Sequence, residues 1–328
     1  MVCAPGYGAH RGRGRCGQLC PKKGRLMRVV IGADVGGSKT VVVAEVDGEV
    51  RARIQAPGAA LRPDLVLRSA TTIADAIRRS LAEVGRPSAD VIVVGAAGAG
   101  RQQEAKELAR ALRAEELAET VRVTTDGEIA LVAAFGQSPG ILILAGTGSV
   151  GLARDPQGTI HRAGGYGWQM GDEGSGYALG RAALGAVGRA VDGRAEATVL
   201  SQRVLTATRS SDISRLVRWA AAAGPGEIAG LAPLVLEAAE SGDRAAGEMV
   251  TRAAEDLLAL AVSLRGLFSE EKAVPVAITG GVFESGPLAG ALRAMLAARS
   301  DVMPVDDIVD PVAGALSLAR DIAETVSE

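Results

Sequence analysis

The chain is poor in aromatic residues and in cysteine. The shortage of cysteine limits the disulfides and metal sites that it can form. Its 328 residues include only three Phe, three Tyr and two Trp. All three cysteines precede residue 21, so the rest of the chain has none for a structural disulfide or a cysteine-ligated metal. This distribution fits a reducing, cytoplasmic location. No apolar stretch of ~20 residues lacks glycine or charge, so we expect neither a membrane span nor a membrane partner.

Charge of either sign is nearly balanced, with a formal net charge of −2. We therefore expect no general attraction to nucleic acid. Residues 1–26 differ, because they carry six Lys and Arg and no acidic residue. We expect a disordered basic tail there, without the apolar run of a signal peptide. Met27 precedes the first predicted strand, so the tail is either an extension from an upstream start or a basic tethering arm.

The length and the 48% hydrophobic content suffice for a large core and about two domains. Strand-like and helix-like patterns alternate, which indicates the α/β class. We predict two or three strands in residues 29–55, a helix over residues 65–84 and a closing helix in DPVAGALSLARDIAETV. Residues 180–267 are alanine-rich and mostly helical, with a break near AGPGE at residues 223–227.

The stretch VVIGADVGGSKTVVVAEVDGEV, residues 29–50, has the residue types of a phosphate loop but not the Walker order. Gly32 and Gly37 have the right separation, yet Ser38 stands where that motif requires lysine. The valines that follow predict a strand, whereas a Walker loop opens a helix. We therefore predict strand, glycine turn and strand, with backbone amides able to approach phosphate oxygens. An ordinary glycine hairpin is the alternative.

Two side chains of this first hairpin are candidates for nucleotide chemistry. Asp34 ends the first strand and could face Mg²⁺ through water, since Mg²⁺ keeps much of its hydration shell. A turn cap is the alternative for Asp34. Lys39 could neutralise phosphate charge, or it could be a solvated side chain. The predicted nucleotide-binding residues of the hairpin are Gly36, Gly37, Ser38 and Lys39.

Two later strands also end in glycine turns. Residues 140–165 repeat the opening design, with AGTGS at the turn, and the strand AVPVAIT leads into a pair of glycines. The two hairpin units suggest an internal duplication. Three such elements favour a nucleotide held in a cleft between two halves. The predicted nucleotide-binding residues in the later turns are Gly146, Thr147, Gly148, Ser149, Gly280 and Gly281.

The segment VRVTTDGEIALVAAFG predicts a strand, a turn at Asp126 and Gly127, and a short helix. Asp126 would then project into the cleft. Phosphoryl transfer to a hydroxyl needs a carboxylate that orients the nucleophile and takes its proton, and Asp126 is our candidate. The alternative is a plain N-cap of the helix from Glu128.

The segment GGYGWQMGDEGSGY is rich in the residues that sugars bind. Three of the eight aromatic residues fall within its twelve positions 166–177. Asp172 and Glu173 offer paired hydrogen-bond acceptors, and the glycines allow close backbone approach. Aromatic faces, carboxylates and a flexible backbone together suit a sugar. The alternative is a packed glycine-rich loop, capped by Asp172 or Ser175 ahead of a helix.

These motifs, in this order, resemble the superfamily of ATPases that includes actin, hexokinase and the heat-shock chaperones. The closest resemblance is to the eukaryotic-type N-acetylglucosamine kinases and the BadF/BadG/BcrA/BcrD ATPase family. It covers about residues 28–320, and GGYGWQMGDEGSGYALGRAAL after AGTGS is its most specific part. It implies a two-lobed, actin-like (ribonuclease H-like) α/β fold with nucleotide in the interlobe cleft. The N-terminal lobe would comprise residues 27–125 and the C-terminal helix 311–328, and the other lobe residues 126–310.

The resemblance also implies roles for single residues. DVGGSKT and AGTGS match the two phosphate hairpins, and TGGVF matches the adenosine-side turn. Asp126 matches the catalytic aspartate of the family. The positions that match sugar contacts are Gly165, Tyr166, Gly167 and Asp172, with Asp126 beside them. Family members often carry asparagine near Ala60, so the hydroxyl recognised at that corner is left open.

The resemblance implies an ATP- and Mg²⁺-dependent kinase for the 6-hydroxyl of an amino sugar, either N-acetylglucosamine or glucosamine. A second hypothesis is an activator ATPase, which needs cysteines for a shared iron–sulfur cluster. A third is a nucleotide-dependent sensor without enzymatic activity, and the presence of Asp126 and both hairpins argues against it. The expected partners are an amino sugar and ATP. The sequence leaves the oligomeric state open, with a homodimer among the options.

Overall fold

The computed structural model describes residues 28–269, 273–284, 286–306 and 309–325. The basic tail expected at residues 1–26 and the last three residues of the expected C-terminal helix lie outside these ranges. No helix in the described part of the chain combines the length and apolar character that a membrane crossing requires.

A first five-stranded sheet is built from the N-terminal third of the chain. Its strands are β1 (Val29–Val35), β2 (Lys39–Val46), β3 (Glu49–Pro57), β4 (Ala89–Ala96) and β5 (Ala118–Thr125). Their order is β3-β2-β1-β4-β5, with β1, β2 and β3 antiparallel and β1, β4 and β5 parallel. The carboxyl ends of the three parallel strands therefore share one edge, where open α/β sheets bind ligands.

A second five-stranded sheet has the same plan. Its strands are β6 (Gly140–Ala145), β7 (Ser149–Arg154), β8 (Ile160–Gly164), β9 (Val274–Thr279) and β10 (Val302–Pro304). They follow the order β10-β9-β6-β7-β8, with β6, β7 and β8 antiparallel and β6, β9 and β10 parallel. Each sheet thus consists of an antiparallel meander followed by two parallel strands, in agreement with the hypothesis of an internal duplication.

Eleven α-helices and one 3-10 helix lie within the described residues. They are α1 (Val66–Glu83), α2 (Gln102–Ala114), α3 (Asp126–Phe135), α4 (Gly176–Val191), α5 (Val199–Ala207), α6 (Ile213–Ala222), α7 (Pro225–Ala229), α8 (Ala232–Glu240), α9 (Arg244–Arg265), the 3-10 helix Gly281–Phe283, α10 (Gly286–Ala297) and α11 (Pro311–Thr325). The expected break at residues 223–227 contains the start of the short helix α7. Pro225 favours this start because its fixed φ suits the first helical position.

The valine-rich strands of the first sheet bury both faces, so helices cover each side. Helices α1 and α2 pack on one face, and α3 and α11 pack on the other. The C-terminal helix α11 approaches the sheet closely at Gly32, where a Cβ would lie 2.8 Å from the backbone nitrogen of Leu316. At Gly314 a Cβ would overlap the carbonyl oxygen of Ile129 in α3. The last described helix therefore completes the core of the first sheet.

Candidate active site

Asp34 and Asp126 lie at the same edge of the first sheet. Asp34, near the end of β1, pairs with Gly95 of β4. The next residue of β4 pairs with Thr125, which directly precedes Asp126. Burial, followed by the charges of Asp126 and Asp310, raises the pKa of Asp34 from 3.8 to about 6, while Lys39 opposes the rise. The candidate metal residue and the candidate base are therefore electrostatic neighbours.

Asp126 does not cap its helix. The side-chain oxygen of Thr125 accepts the backbone N–H of Glu128 at 3.0 Å, which makes Thr125 the N-cap of α3. The predicted turn at Asp126 and Gly127 is wrong, because with this cap the helix begins at Asp126 itself. The Asp126 carboxylate accepts the N–H of Gly127 at 2.9 Å.

Burial raises the pKa of Asp126, and two backbone hydrogen bonds, from Gly127 and from its own N–H, oppose the rise. The start of α3 also packs against the second sheet, since a Cβ at Gly127 would overlap Leu152 of β7. Asp126 therefore stands where the two halves of the molecule meet.

The carboxylates at this edge fit a hydrated divalent cation. The carboxylates of Asp126 and Asp310 both repel that of Asp34, and Lys39 opposes their effect. Arg53 pairs with Asp310 at 3.3 Å. No three His, Cys, Asp or Glu side chains in the described ranges are close enough to ligate one metal together. Mg²⁺ usually keeps several waters and uses one or two carboxylates with substrate phosphates, so this sparse set suits it.

The first glycine hairpin joins β1 to β2 as predicted. The N–H of Gly36 donates to the carbonyl of Lys39 at 2.9 Å and closes the turn. Gly37, Ser38 and Lys39 are exposed. The turn rests on Gly58, where a Cβ would overlap the carbonyl of Gly37. The exposed tip of the turn, Gly37 to Lys39, therefore lies at the carboxyl end of β1.

Ala60 lies beside this first hairpin. Its N–H donates to the carbonyl of Gly36 at 3.1 Å, and its own carbonyl accepts the hydroxyl of Ser69 at 3.4 Å. The methyl side chain at this corner offers a ligand no hydrogen bond.

The second and third glycine turns lie against each other. The N–H of Gly146 donates to the carbonyl of Gly148 at 2.8 Å and closes the second hairpin between β6 and β7. Gly280 has φ +119°, and a Cβ there would overlap the carbonyl of Ala145 at the end of β6. The structure therefore brings the second and third elements to one edge of the second sheet.

The glycine-rich segment predicted to bind sugar is a loop between β8 and α4. Gly164, Gly165 and Gly167 have φ values of +68°, +70° and +88°, which favour glycine. Ser175, not Asp172, caps α4 by accepting the N–H of Ala178 at 3.2 Å. The capping role in the alternative hypothesis thus belongs to Ser175.

Asp172 points toward the second hairpin. It adopts φ +63°, a left-handed conformation that is uncommon outside glycine. Burial raises the pKa of its carboxyl, while the nearby backbone N–H groups of Ser149 and Gly167 oppose the rise. The carboxylate of this glycine-rich loop therefore lies against the second glycine hairpin.

The aromatic residues of the loop are partly open to solvent. Tyr166 is 63% exposed, and the guanidinium carbon of Arg162 lies 5.1 Å from its ring centroid. The rings of Trp168 and Tyr177 are 5.4 Å apart. Both of these rings line a cavity of about 250 Å³ that borders the loop, together with Asp256 of α9. Burial and the charge of Glu173 raise the pKa of Asp256.

Sequence reasoning misses two of the acidic residues at the site. Asp310 precedes α11, and its only local signal is the Asp-Pro pair that opens the last helical pattern. Asp256 lies inside the long helix α9, where a charged residue looks like part of a solvated face. Only the tertiary structure brings Asp310 toward Asp34, and Asp256 toward the glycine-rich loop between β8 and α4.

Comparisons with known proteins agree with this arrangement. The family described as the BadF/BadG/BcrA/BcrD ATPase family matches residues 31–319. An N-acetylmuramic acid/N-acetylglucosamine kinase of Clostridium acetobutylicum is 29% identical over 265 residues, which cover 79% of this chain and 87% of that protein. An N-acetyl-D-glucosamine kinase of Dictyostelium discoideum is 29% identical over 275 residues, which cover 78% of this chain and 86% of that protein.

A solved structure has a similar fold. It comes from Chromobacterium violaceum and is provisionally named an N-acetylglucosamine kinase. The two chains are 31% identical, with a TM-score of 0.75 over 89% of this chain and 99% of the other. The expected two-lobed, actin-like α/β fold is confirmed by this match and by the two sheets of the molecule.

Proposed function

The chain belongs to the BadF/BadG/BcrA/BcrD ATPase family, and on that premise we propose that it is an ATP-dependent kinase for the 6-hydroxyl of an amino sugar. N-acetylglucosamine and glucosamine are the proposed acceptors. The names of the Clostridium and Dictyostelium relatives support this class of substrate. The cytoplasm, where ATP is available, is the proposed location.

The observation that carries the proposal is the position of Asp126. Its half-buried carboxylate interacts electrostatically with Asp34 at the edge of the first sheet, and Thr125 performs the capping that would otherwise account for Asp126. A sugar hydroxyl is a poor nucleophile at neutral pH. A carboxylate that accepts its hydrogen bond aligns the oxygen for in-line attack and takes the proton as the new bond to phosphorus forms. Burial makes Asp126 more basic than an ordinary aspartate, which favours this step.

The nucleotide would lie between the two hairpins. The backbone of Gly36, Gly37 and Ser38 would face the phosphates from one side, and Lys39 would add a positive charge. From the other side the turn at Gly146, Thr147 and Gly148 would do the same, with Gly280 and Gly281 near the adenosine. Bound Mg²⁺ would neutralise phosphate charge, and Asp34 would hold it through water.

The sugar would lie against the glycine-rich loop. The backbone at Gly165 and Gly167 permits a close approach, and the exposed ring of Tyr166 offers an apolar face. Asp172 supplies carboxylate oxygens for sugar hydroxyls. Because Ala60 provides no side-chain hydrogen bond, we place sugar recognition on this loop.

A coupled assay with ATP, Mg²⁺ and a panel of sugars tests the proposal. The panel should contain N-acetylglucosamine, glucosamine, N-acetylmuramic acid, glucose and N-acetylmannosamine. We expect the highest kcat/KM for an amino sugar, with product phosphorylated at oxygen 6 by NMR. ATP hydrolysis without phosphorylation of any sugar would instead favour an ATPase that acts on a partner. Light scattering in the same buffer tests the homodimer.

A further inference from the structure

The second phosphate hairpin and the sugar loop are joined by direct hydrogen bonds. The hydroxyl of Ser149 donates to the carbonyl of Glu173 at 2.6 Å. The N–H of Gly176 donates to the carbonyl of Gly146 at 2.8 Å, and that of Tyr177 to the carbonyl of Thr147 at 3.1 Å. These bonds tie the turn that would face phosphate to the start of α4, directly after the loop that would face sugar.

The carboxylate of Asp172 adds a contact from the side chain. The backbone N–H of Ser149 is close enough to this carboxylate to lower its pKa, and the Ser149 hydroxyl is bonded to the loop at Glu173. A Cβ at Gly148 would lie only 2.6 Å from Oδ2 of Asp172. The absence of a side chain at Gly148 is therefore what lets the loop carboxylate lie against the hairpin.

Ser149 differs in this respect from the serine of the first hairpin. Ser149 is 4% exposed and its hydroxyl is directed into the protein. Ser38 is exposed at the tip of its turn. A hydroxyl already bonded to a backbone carbonyl is poorly placed to bind phosphate, whereas an exposed one is free to do so.

We propose that Ser149 is a positioning residue that couples sugar binding to nucleotide binding. This inference rests on the proposed kinase function. A ligand that orders either the loop or the hairpin also orders the other, because they share these hydrogen bonds. The second ligand then has less ordering to achieve and binds more tightly. The coupling is reciprocal, so sugar strengthens nucleotide binding by the same factor.

The coupling factor is the ratio of two sugar dissociation constants. Calorimetry with N-acetylglucosamine gives them without nucleotide and at saturating Mg²⁺ with a non-hydrolysable ATP analogue. For the unchanged protein we expect the analogue to tighten sugar binding at least about fivefold. In Ser149→Ala the factor should fall toward one. In Gly148→Ala, which keeps every donor but displaces Asp172, it should also fall.

Ser38→Ala is the matched control in the first hairpin. It should weaken nucleotide binding but leave the coupling factor unchanged, because Ser38 lies on the other hairpin. Melting temperatures establish that each variant folds. If Ser149→Ala does not fold, the coupling factor of Gly148→Ala still tests the inference.

If the unchanged protein binds both sugar and nucleotide but has a coupling factor of one, this inference is overturned and the proposed function is not affected. An equal loss of coupling in Ser38→Ala would also overturn it. No binding of any amino sugar would overturn the proposed function, and the inference with it.

Discussion

Thr125 caps the helix that begins at Asp126, because its side-chain oxygen accepts the N–H of Glu128 at 3.0 Å. The cap and the proposed base are thus adjacent but separate residues. Their contributions to stability and to catalysis can be measured independently.

Asp126→Asn should keep the fold and remove the base. We expect kcat to fall at least about 10²-fold, since general-base assistance contributes ~10²–10⁴. The melting temperature at pH 7.5 should stay equal or rise, because a half-buried carboxylate with a raised pKa is replaced by a neutral amide. Thr125→Ala is the control for capping and should lower the free energy of unfolding by about 1 kcal/mol. Near-normal turnover by folded Asp126→Asn would show that another group accepts the proton.

Asp34 should make both stability and metal use depend on pH. Its pKa is raised from 3.8 to about 6, so the folded protein holds this proton more tightly than the unfolded chain does. The resulting stabilisation is fully present below the lower value and is lost as pH rises through about 6. Without Mg²⁺, the melting temperature of Asp34→Asn minus that of the unchanged protein should therefore increase between pH 4 and pH 7.

The same titration of Asp34 predicts weaker binding of Mg²⁺ at acidic pH. Protonated Asp34 has no negative charge to attract a cation. The Mg²⁺ concentration needed for half-maximal nucleotide binding should therefore rise below about pH 6. Asp34→Asn should need more Mg²⁺ than the unchanged protein at pH 7.5. Equal Mg²⁺ requirements for the two proteins across this range would contradict the assignment.

Gly314 should not tolerate a side chain. A Cβ at this position in α11 would overlap the carbonyl oxygen of Ile129, so Gly314→Ala should destabilise by about 1–3 kcal/mol or more. Gly290 is an exposed glycine inside α10 with open space around it. Gly290→Ala should therefore be neutral or stabilise by up to about 1 kcal/mol. Urea unfolding of both variants checks the contrast, and equal effects would refute the close packing of α11 on α3.

Arg320 should matter for stability more than an ordinary surface arginine. It donates to Glu45 at 2.8 Å, and the side chain of Glu45 is only 4% exposed. Arg320→Met would leave that carboxylate without this partner, which costs roughly 1–3 kcal/mol. Arg244 pairs with Glu248 at the surface, so Arg244→Met should change stability by less than about 0.5 kcal/mol. Chemical denaturation compares the two, and similar losses would count against a special role for Arg320.

Local patterns in the sequence predict the architecture well. In the first hairpin, valine-rich runs on either side of two glycines predict strand, turn and strand, and the structure has β1, a turn and β2 there, because turn chemistry acts over a few residues. The cap of α3 could not be predicted in the same way. Thr125 and Asp126 both have the residue type of an N-cap, and only the backbone geometry decides between them.

Contacts between distant segments explain what the sequence leaves out. Asp310 reaches the site because α11 returns to the first sheet, 276 positions after Asp34. The inward hydroxyl of Ser149 depends on a carbonyl 24 residues away. A serine in a glycine turn gives no local sign of whether it will face a ligand or the protein.

The return of α11 to the first sheet has a consequence for the order of synthesis on the ribosome. Strands β1 to β5 can emerge and pair early, but the valine face that α11 covers waits for residues 311–325. Bacterial and eukaryotic ribosomes add roughly 5–20 residues per second, so that face stays uncovered for on the order of 10–40 seconds. During this interval the nascent chain presents a sticky apolar surface to its surroundings. The yield of folded protein should therefore depend on chaperones that bind the growing chain, even if the finished enzyme is stable.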